Sequence, residues 1–240
     1  SGNLCRCTGY KPILSAGSLV NMHSGGDHFD SLELEALKEL RAIQPLDNGV
    51  DADGRGFKIC TDIAQVAAAL EHSPQARLVA GSTDYSLEIT QGLATPELLI
   101  SVGRVKEMNT CGAVSGGLRI GAAATLTEAT PLLVQHWPSL EELLLRFGSP
   151  QIRNQATIGG NVANASPIGD TPPVLLALNA TIELRKGVAT RTLPIREFFH
   201  SYKKTALERG EFIVSIFIPF SHNDATVRAY KVTKRFEDDI

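Results

Sequence analysis

The sequence lacks an excess of positive charge: its 240 residues carry 23 Lys and Arg against 26 Asp and Glu, a formal net charge of −3. This argues against a polycationic surface for nucleic acid or for an anionic membrane. There is also no run of about 18 apolar residues, the length that a membrane-spanning helix requires, and no secretory signal pattern. We therefore expect neither nucleic acid nor a membrane among the partners.

Cysteine is scarce, with four residues at positions 5, 7, 60 and 111. So small and irregular a set does not form a secreted disulfide framework, and we expect a reducing, cytoplasmic setting. Cys60 and Cys111 are expected to be buried apolar thiols. Cys5 and Cys7 form a C-x-C pair, which is half of the four thiolates that an iron–sulfur cluster commonly takes. The pair is either incidental or part of a domain that begins before this chain.

The sequence also lacks the common hydrolase and kinase motifs: HExxH, a Walker A loop, a serine nucleophile elbow or a paired-carboxylate spacing. Hydrolytic and phosphoryl-transfer chemistry therefore have no support. Apolar residues make up 43% of the chain and charged residues 20%, which is typical of a globular protein with a substantial core.

The chain is organised around a main domain that we expect to start near residue 57. Before it, SLELEALKEL predicts a helix, while residues 21–30 and 44–56 are expected to be linker and loop. His23, Asp27 and His28 lie in this linker, and we expect them to be solvated rather than to hold a metal.

The first part of the main domain predicts a βαβαβ unit with a small parallel sheet. FKIC, ARLVAG and ELLISV are the expected strands. DIAQVAAALEH is an expected helix capped by Thr61 or Asp62, and STDYSLEITQ one capped by Ser82 or Thr83. The second part mixes helices (LTEATPLLV, PSLEELLLRF, TPPVLLALN) with strands (GLRIG, ATIELR, ATRTLP, FIVSIFIP).

Two glycine-containing segments carry possible binding chemistry. In LVAGSTDYS, Gly81 permits a close approach of a ligand to the backbone, and Ser82 and Thr83 add hydroxyl groups at the start of a helix, an arrangement that favours phosphate. The alternative is a tight strand-to-helix turn with a Ser/Thr cap.

The second segment, ATIGGNVANASPIGD (156–170), is expected to be one long loop. Gly159 and Gly160 permit unusual backbone angles, and neutral polar side chains offer hydrogen bonds without charge. Asp170 could accept hydrogen bonds from ribose hydroxyls. This composition favours a polar ligand such as a nucleotide, although a purely structural loop is an alternative.

Four segments together resemble the iron–sulfur/flavin chain of the xanthine dehydrogenase family of molybdenum hydroxylases. These segments are GNLCRCTGYKPIL, LVAGSTD, RFGSPQIRNQATIGGNVANASPIGD and RAYKVTKRFEDDI. The resemblance implies an α+β FAD-binding domain of the vanillyl-alcohol-oxidase (PCMH) type, with a small βαβαβ lobe and a larger α+β lobe. It also implies four segments: 1–20, the remnant of an all-α 2Fe–2S domain; 21–56, a linker; 57–225, the FAD-binding domain; and 226–240, the start of a further subdomain.

The resemblance also implies which residues hold cofactors. Cys5 and Cys7 would be two of the four ligands of a 2Fe–2S cluster. Phe147 would lie beside the isoalloxazine, Val214 near the flavin or the adenine, and Lys231 at the flavin edge. The other implied FAD contacts come from two loops: Leu78, Val79, Ala80, Gly81, Ser82, Thr83 and Asp84 from the first, and Gly160, Asn161, Asn164, Ser166 and Asp170 from the second. Tyr85 stands where the family leads one to expect an aliphatic residue.

The implied function is electron transfer. Electrons from a molybdenum cofactor on a large partner subunit would pass through 2Fe–2S clusters to FAD and on to NAD⁺, in a dimer of heterodimers, with no catalytic acid or base in this chain. Alternatives are the flavin subunit of an aldehyde or carbon monoxide dehydrogenase, a stand-alone flavin reductase, and a non-redox nucleotide-binding module. We also expect weak cofactor retention if a further subdomain is missing.

Overall fold

The computed structural model describes residues 9–21, 29–43, 47–50, 53–220 and 226–234. The chain divides into two compact units, Ser1–Leu46 and Asp47–Ile240. Cys5, Cys7 and the linker residues His23, Asp27 and His28 lie outside the described residues. In the described part of the chain, no helix is long and apolar enough to cross a membrane.

The first unit contains two helices, α1 (Tyr10–Asn21) and α2 (Glu33–Ala42). Helix α2 confirms the helix predicted from SLELEALKEL. Glu33 and Glu35 lie in its first turn and Arg41 in its last, which suits the helix dipole. No residue of α2 is buried within the described structure, and the side chains of its leucines are exposed.

The second unit begins with a small lobe built on a four-stranded sheet in the order β1-β2-β4-β3. Strands β2 and β3 run parallel to β4, and β1 pairs with β2 in the antiparallel sense. The elements are β1 (Asn48–Val50), β2 (Gly56–Ile59), α3 (Ile63–His72), β3 (Arg77–Val79), α4 (Tyr85–Thr90) and β4 (Leu98–Ser101). The predicted βαβαβ unit is confirmed.

The prediction of loop over 44–56 is wrong for Asn48–Val50, which forms an edge strand. Three residues centred on a glycine are too short for an alternating pattern to be visible in the sequence. The strand exists because it pairs with β2, a tertiary contact. The second compact unit therefore takes in the end of the predicted linker.

The two helices of the small lobe start differently. Helix α3 begins as predicted after Asp62, whose carboxylate accepts a hydrogen bond from the Gln65 backbone N–H at 2.8 Å. The prediction that Ser82 or Thr83 caps α4 is wrong, because α4 begins at Tyr85 and its first flanking residue, Asp84, makes no side-chain cap. Ser82 has a left-handed backbone (φ +58°) that a helix cannot contain.

The large lobe is built on an antiparallel sheet in the order β5-β6-β11-β7-β8. Its strands are β5 (Cys111–Val114), β6 (Gly117–Gly121), β7 (Thr181–Lys186), β8 (Ala189–Pro194) and β11 (Phe212–Pro219), with a separate pair β9 (Phe199–Ser201) and β10 (Lys204–Thr205). The helices are α5 (Lys106–Asn109), α6 (Leu126–His136), α7 (Glu141–Leu145), α8 (Pro150–Arg153), α9 (Ile158–Asn164) and α10 (Thr171–Ala177). Together with the small lobe this gives the expected α+β fold.

Strand β11 is the centre of the large sheet. It pairs with β6 on one side and β7 on the other, and its buried residues include Ile216 and Ile218. A strand covered on both faces has an almost continuous apolar sequence, which explains why FIVSIFIP alternates only in part. The buried Ser215 donates a hydrogen bond to the Glu183 carboxylate at 2.6 Å, so its hydroxyl is satisfied.

The prediction of one loop over 156–170 is wrong, because the segment contains helix α9. Thr157 caps this helix by accepting a hydrogen bond from the Gly160 backbone N–H at 3.0 Å. A Cβ on Gly159 would overlap with Ala122. Glycine and asparagine have low helix propensity, but here Gly159 is used for close packing, which the local sequence does not reveal.

An ion pair ties β8 to the segment that precedes β11. Arg191 donates from Nε and Nη2 to the two carboxylate oxygens of Glu211 at 2.7 and 2.8 Å. Burial alone would raise the pKa of Glu211, but hydrogen bonds from Arg191 and from the Glu208 backbone lower its pKa below the ordinary 4.5. The pair therefore stabilises the fold above pH 4.5, and this stabilisation is lost as pH falls through the folded-state pKa.

We predict that Glu211→Gln lowers the free energy of unfolding at neutral pH by about 1 kcal/mol, because a charged hydrogen-bond acceptor is lost. The measurement is denaturant unfolding of both proteins from neutral pH to below the ordinary pKa of 4.5. The difference should shrink across that range. Glu197→Gln, which removes the exposed partner of Arg196, is the control. An equal difference at both ends of the range would contradict the prediction.

Candidate functional site

A cleft of about 450 Å³ in the second unit is lined by the β3–α4 segment of the small lobe and by residues 147–170 of the large lobe. Its volume lies in the range of small-molecule and cofactor sites. Thirteen of the fifteen predicted FAD contacts line it: Leu78, Val79, Ala80, Gly81, Ser82, Thr83, Asp84, Phe147, Gly160, Asn161, Asn164, Ser166 and Asp170. The structure thus brings the two glycine-containing segments to one place.

Gly81 lies where the small lobe meets the large lobe. A Cβ at this position would overlap with the backbone carbonyl of Gln155. The backbone of Gly81 and that of residue 155 are therefore in direct contact, and a side chain would force them apart. Gly81 and Ala156, on either side of this contact, both line the cleft.

The turn after Gly81 presents free backbone donors. Within the part of the chain that the structure describes, the N–H groups of Ser82, Thr83 and Asp84 donate to no protein acceptor. Helix α4 begins only at Tyr85, so these residues form a turn that lines the cleft. Unpaired N–H groups in such a turn are a ready site for an anionic group such as phosphate.

The opposite wall is formed by α9 and the residues that follow it. The Asn161 side-chain oxygen accepts a hydrogen bond from the Thr171 hydroxyl at 2.5 Å, which leaves its amide nitrogen as the donor for a ligand. Helix α9 ends at Asn164, and Ala165 then adopts a left-handed conformation (φ +49°). Helix α9 therefore contributes neutral hydrogen-bonding groups to this wall.

Asp170 is the charged residue of this wall, and Lys231 is its partner. Lys231 Nζ lies 2.6 Å from Asp170 Oδ2 and also donates to the Arg146 carbonyl at 3.1 Å. The Lys231 side chain is 5% exposed. Lys231 does not itself line the cleft; it contacts the carboxylate that does. Removing one member of so buried a pair leaves an uncompensated charge.

Hydrogen bonds from Arg153 to the backbone around Phe147 hold this residue in place. Arg153 Nη1 donates to the carbonyls of Leu145, Phe147 and Gly148 at 2.8, 3.2 and 2.9 Å. Lys231 Nζ lies 6.0 Å from the centre of the Phe147 ring. The aromatic ring and the Asp170 carboxylate therefore both lie near Lys231 Nζ.

The remaining predicted residues lie elsewhere. Val214 is 2% exposed in the central strand β11 and does not line the cleft. Cys60 is completely buried, as predicted, whereas Cys111 is only partly buried; burial raises the pKa of both thiols. Among the described residues no His, Cys, Asp or Glu cluster could hold a metal ion.

The sequence did not predict several residues that line the cleft, including Arg77, Glu88, Ile152, Thr157 and Ile168. Arg77 directly precedes the LVAGSTD segment, and Glu88 lies one turn after the start of α4. Their closeness to this motif in the sequence was the one signal that could have identified them as lining residues. The others depend on how α8 and α9 pack.

Comparison with known proteins supports a specific family. Residues 56–221 match the family model described as the FAD binding domain in molybdopterin dehydrogenase. The xanthine dehydrogenase/oxidase of Gallus gallus is 29% identical over 309 residues, covering 100% of this chain and 23% of the relative. The nicotinate hydroxylase of Emericella nidulans is 32% identical over 196 residues, covering 74% of this chain and 14% of the relative.

Two solved structures are similar in fold. The carbon monoxide dehydrogenase of Hydrogenophaga pseudoflava is 27% identical, with a TM-score of 0.70 over 76% of this chain and 64% of that one. Quinoline 2-oxidoreductase from Pseudomonas putida 86 is 25% identical, with a TM-score of 0.65 over 69% of this chain and 59% of that one. The chain spans 23% and 22% of the lengths of the first two curated xanthine dehydrogenases that it matches.

The contact at Gly81 leads to a prediction about the stability of the folded protein. We expect Gly81→Ala to lower the free energy of unfolding by about 1–3 kcal/mol, because the new Cβ forces the two backbones apart. The measurement is thermal and denaturant unfolding. The control is Gly103→Ala, whose Cβ would meet nothing closer than 3.9 Å and should change stability by less than about 0.5 kcal/mol. Equal effects of the two substitutions would contradict the prediction.

Proposed function

The chain belongs to the family of FAD-binding domains of molybdopterin dehydrogenases, and on that basis we propose that its cleft is the flavin site of a larger molybdenum hydroxylase of the xanthine dehydrogenase type. The observation that carries the proposal is the convergence of two separate segments on one cleft. One segment presents free N–H groups for phosphate, and the other presents neutral amides and a carboxylate for hydroxyl groups.

The residues present fit FAD. Gly81 allows the close contact with the backbone of residue 155, and the turn that follows would present the N–H groups of Ser82, Thr83 and Asp84 to a pyrophosphate. Asn161, Asn164 and Ser166 would bind the polar middle of the dinucleotide. Asp170, oriented by Lys231, would accept hydrogen bonds from sugar or ribityl hydroxyls, and Phe147 would cover a planar ring.

When bound, FAD would supply the redox chemistry, taking electrons from iron–sulfur clusters and giving them to NAD⁺. The protein binds and orients the cofactor. No proton-transferring side chain is required of this chain, which agrees with the lack of an acid–base pair in the sequence. The Asp170 carboxylate is paired with Lys231 and is assigned to binding.

The proposed partners follow from the family. Cys5 and Cys7 would supply two ligands to a 2Fe–2S cluster, and a large subunit or domain would hold the molybdenum cofactor. The assembly would be a cytoplasmic dimer of heterodimers that acts on xanthine. A second candidate is the flavin subunit of a hydroxylase of another type, because carbon monoxide dehydrogenase and quinoline 2-oxidoreductase share the fold.

The proposal is tested on the intact protein by its visible absorption spectrum, by electron paramagnetic resonance after reduction, and by identifying the flavin that acid releases. We expect FAD together with 2Fe–2S signals, and reduction of NAD⁺ when xanthine is added. Activity with another heterocycle or with an aldehyde would favour the second candidate. A colourless protein that takes up no FAD would contradict both candidates.

The Lys231–Asp170 pair leads to a prediction about the affinity for FAD. We expect Lys231→Met to weaken FAD binding by about tenfold, or about 1.4 kcal/mol, because Asp170 loses the partner that orients its carboxylate. The measurement is titration of the flavin-free intact protein with FAD. Lys234→Met, which changes an exposed lysine three residues later, is the matched control. An unchanged dissociation constant for Lys231→Met would refute the role of the pair.

A further inference from the structure

Arg77, Tyr85 and Glu88 form a cluster in the cleft to which the family resemblance gives no role. The guanidinium carbon of Arg77 lies 4.8 Å from the centre of the Tyr85 ring. Arg77 Nη2 also donates to Glu88 Oε2 at 3.1 Å. All three residues line the cleft. The cluster therefore places a planar cation on an aromatic ring and anchors it with a carboxylate.

The cluster lies on the small-lobe side of the cleft, on β3 and α4, whereas Phe147 and Asp170 belong to the large lobe. Those two residues are joined through Lys231, which contacts both. Arg77 lies on β3, which leads into the turn at Ser82–Asp84, and Tyr85 directly follows that turn. A dinucleotide has a planar ring on each side of its pyrophosphate, so a pyrophosphate bound at the turn would leave one ring next to the cluster.

The chemistry of the cluster suits a planar heterocycle. Tyrosine rings and guanidinium planes both stack on flat aromatic groups. Among the described residues that line the cleft, Arg77 is the one lysine or arginine, against Asp84, Glu88 and Asp170. Glu88 restricts the rotamers of Arg77 and so keeps the guanidinium over Tyr85. The Arg77 and Glu88 side chains are 55% and 46% exposed, so the ion pair itself contributes little stability, and its role here is to position the guanidinium beside the Tyr85 ring.

We propose that Arg77, Tyr85 and Glu88 form a stacking wall that receives one of the two planar ring systems of bound FAD. Tyr85 provides the contact surface, and Arg77, held by Glu88, fixes the orientation of its ring. This inference rests on the proposed function, because it assumes that the cleft binds FAD. It gives a role to Tyr85, which stands where the family leads one to expect an aliphatic residue.

The test is titration of the flavin-free intact protein with FAD, with variants that separate the ring from its hydroxyl and from its cation. We expect Tyr85→Leu to weaken FAD binding by about tenfold, the usual size of a lost stacking contact, and Tyr85→Phe to bind within about twofold of the unchanged protein. Arg77→Met should weaken binding by a smaller factor. Leu87→Ala, on the same helix but exposed and outside the cleft, is the control.

FMN and ADP, used as competitors, identify the ring. If Tyr85→Leu weakens FMN and leaves ADP unchanged, the isoalloxazine stacks on the wall, and the fluorescence of bound FAD should rise because its quencher is gone. If it weakens ADP alone, the adenine stacks there. Either result supports the wall. Normal affinity of Tyr85→Leu for FAD would overturn it while leaving the proposed function intact. Failure of the unchanged protein to bind FAD would overturn both.

Discussion

The contact between the backbone of Gly81 and the carbonyl of Gln155 is the constraint on which the cleft depends. It sets the separation of the small and large lobes, because no side chain intervenes between the end of β3 and the segment that precedes α9. It also determines which groups face the ligand. With Gly81 against the opposite backbone, the turn from Ser82 to Asp84 projects donors into the cleft rather than into a helix. A hydrogen-bonding surface for an anion is thus a by-product of close packing between lobes.

The second constraint is the network around Lys231. Arg146 donates to the Lys231 carbonyl at 3.1 Å and to the Thr233 hydroxyl at 2.8 Å, while Lys231 donates to Asp170 and to the Arg146 carbonyl. The described segment 226–234 is thereby attached to α7 and to the cleft wall at the same time. The positive charge that pairs with Asp170 comes from a lysine that does not itself line the cleft. The Asp170 carboxylate is thereby held in position at the cleft wall by its hydrogen bond to Lys231.

The sequence allowed a large part of this fold to be predicted where side-chain periodicity decides the structure. Helix α3 has its cap at Asp62 and a buried apolar face, and β11 has a long apolar run. Predictions failed where a tertiary contact decides instead. Strand β1 depends on pairing with β2, α9 depends on Gly159 packing against Ala122, and the late start of α4 depends on the left-handed backbone of Ser82. The same limit applies to the cleft: the motifs indicated the turn after Gly81 and the wall around α9, whereas the contacts of Arg77 with Tyr85 and Glu88 depend on tertiary packing.

The position of β11 in the sheet has a consequence for the order of folding. Leu118 on β6 pairs with Ile218 on β11, 100 residues later in the chain, and β7 is paired on the other side of β11. Strands β6 and β7 therefore cannot join into one sheet until the chain has been synthesised past residue 219. Contacts so distant in sequence form slowly, and until they form, the apolar faces of β6 and β7 lack their central partner. The large lobe is thus the late-folding part of the second unit, exposed to aggregation while β11 is still absent.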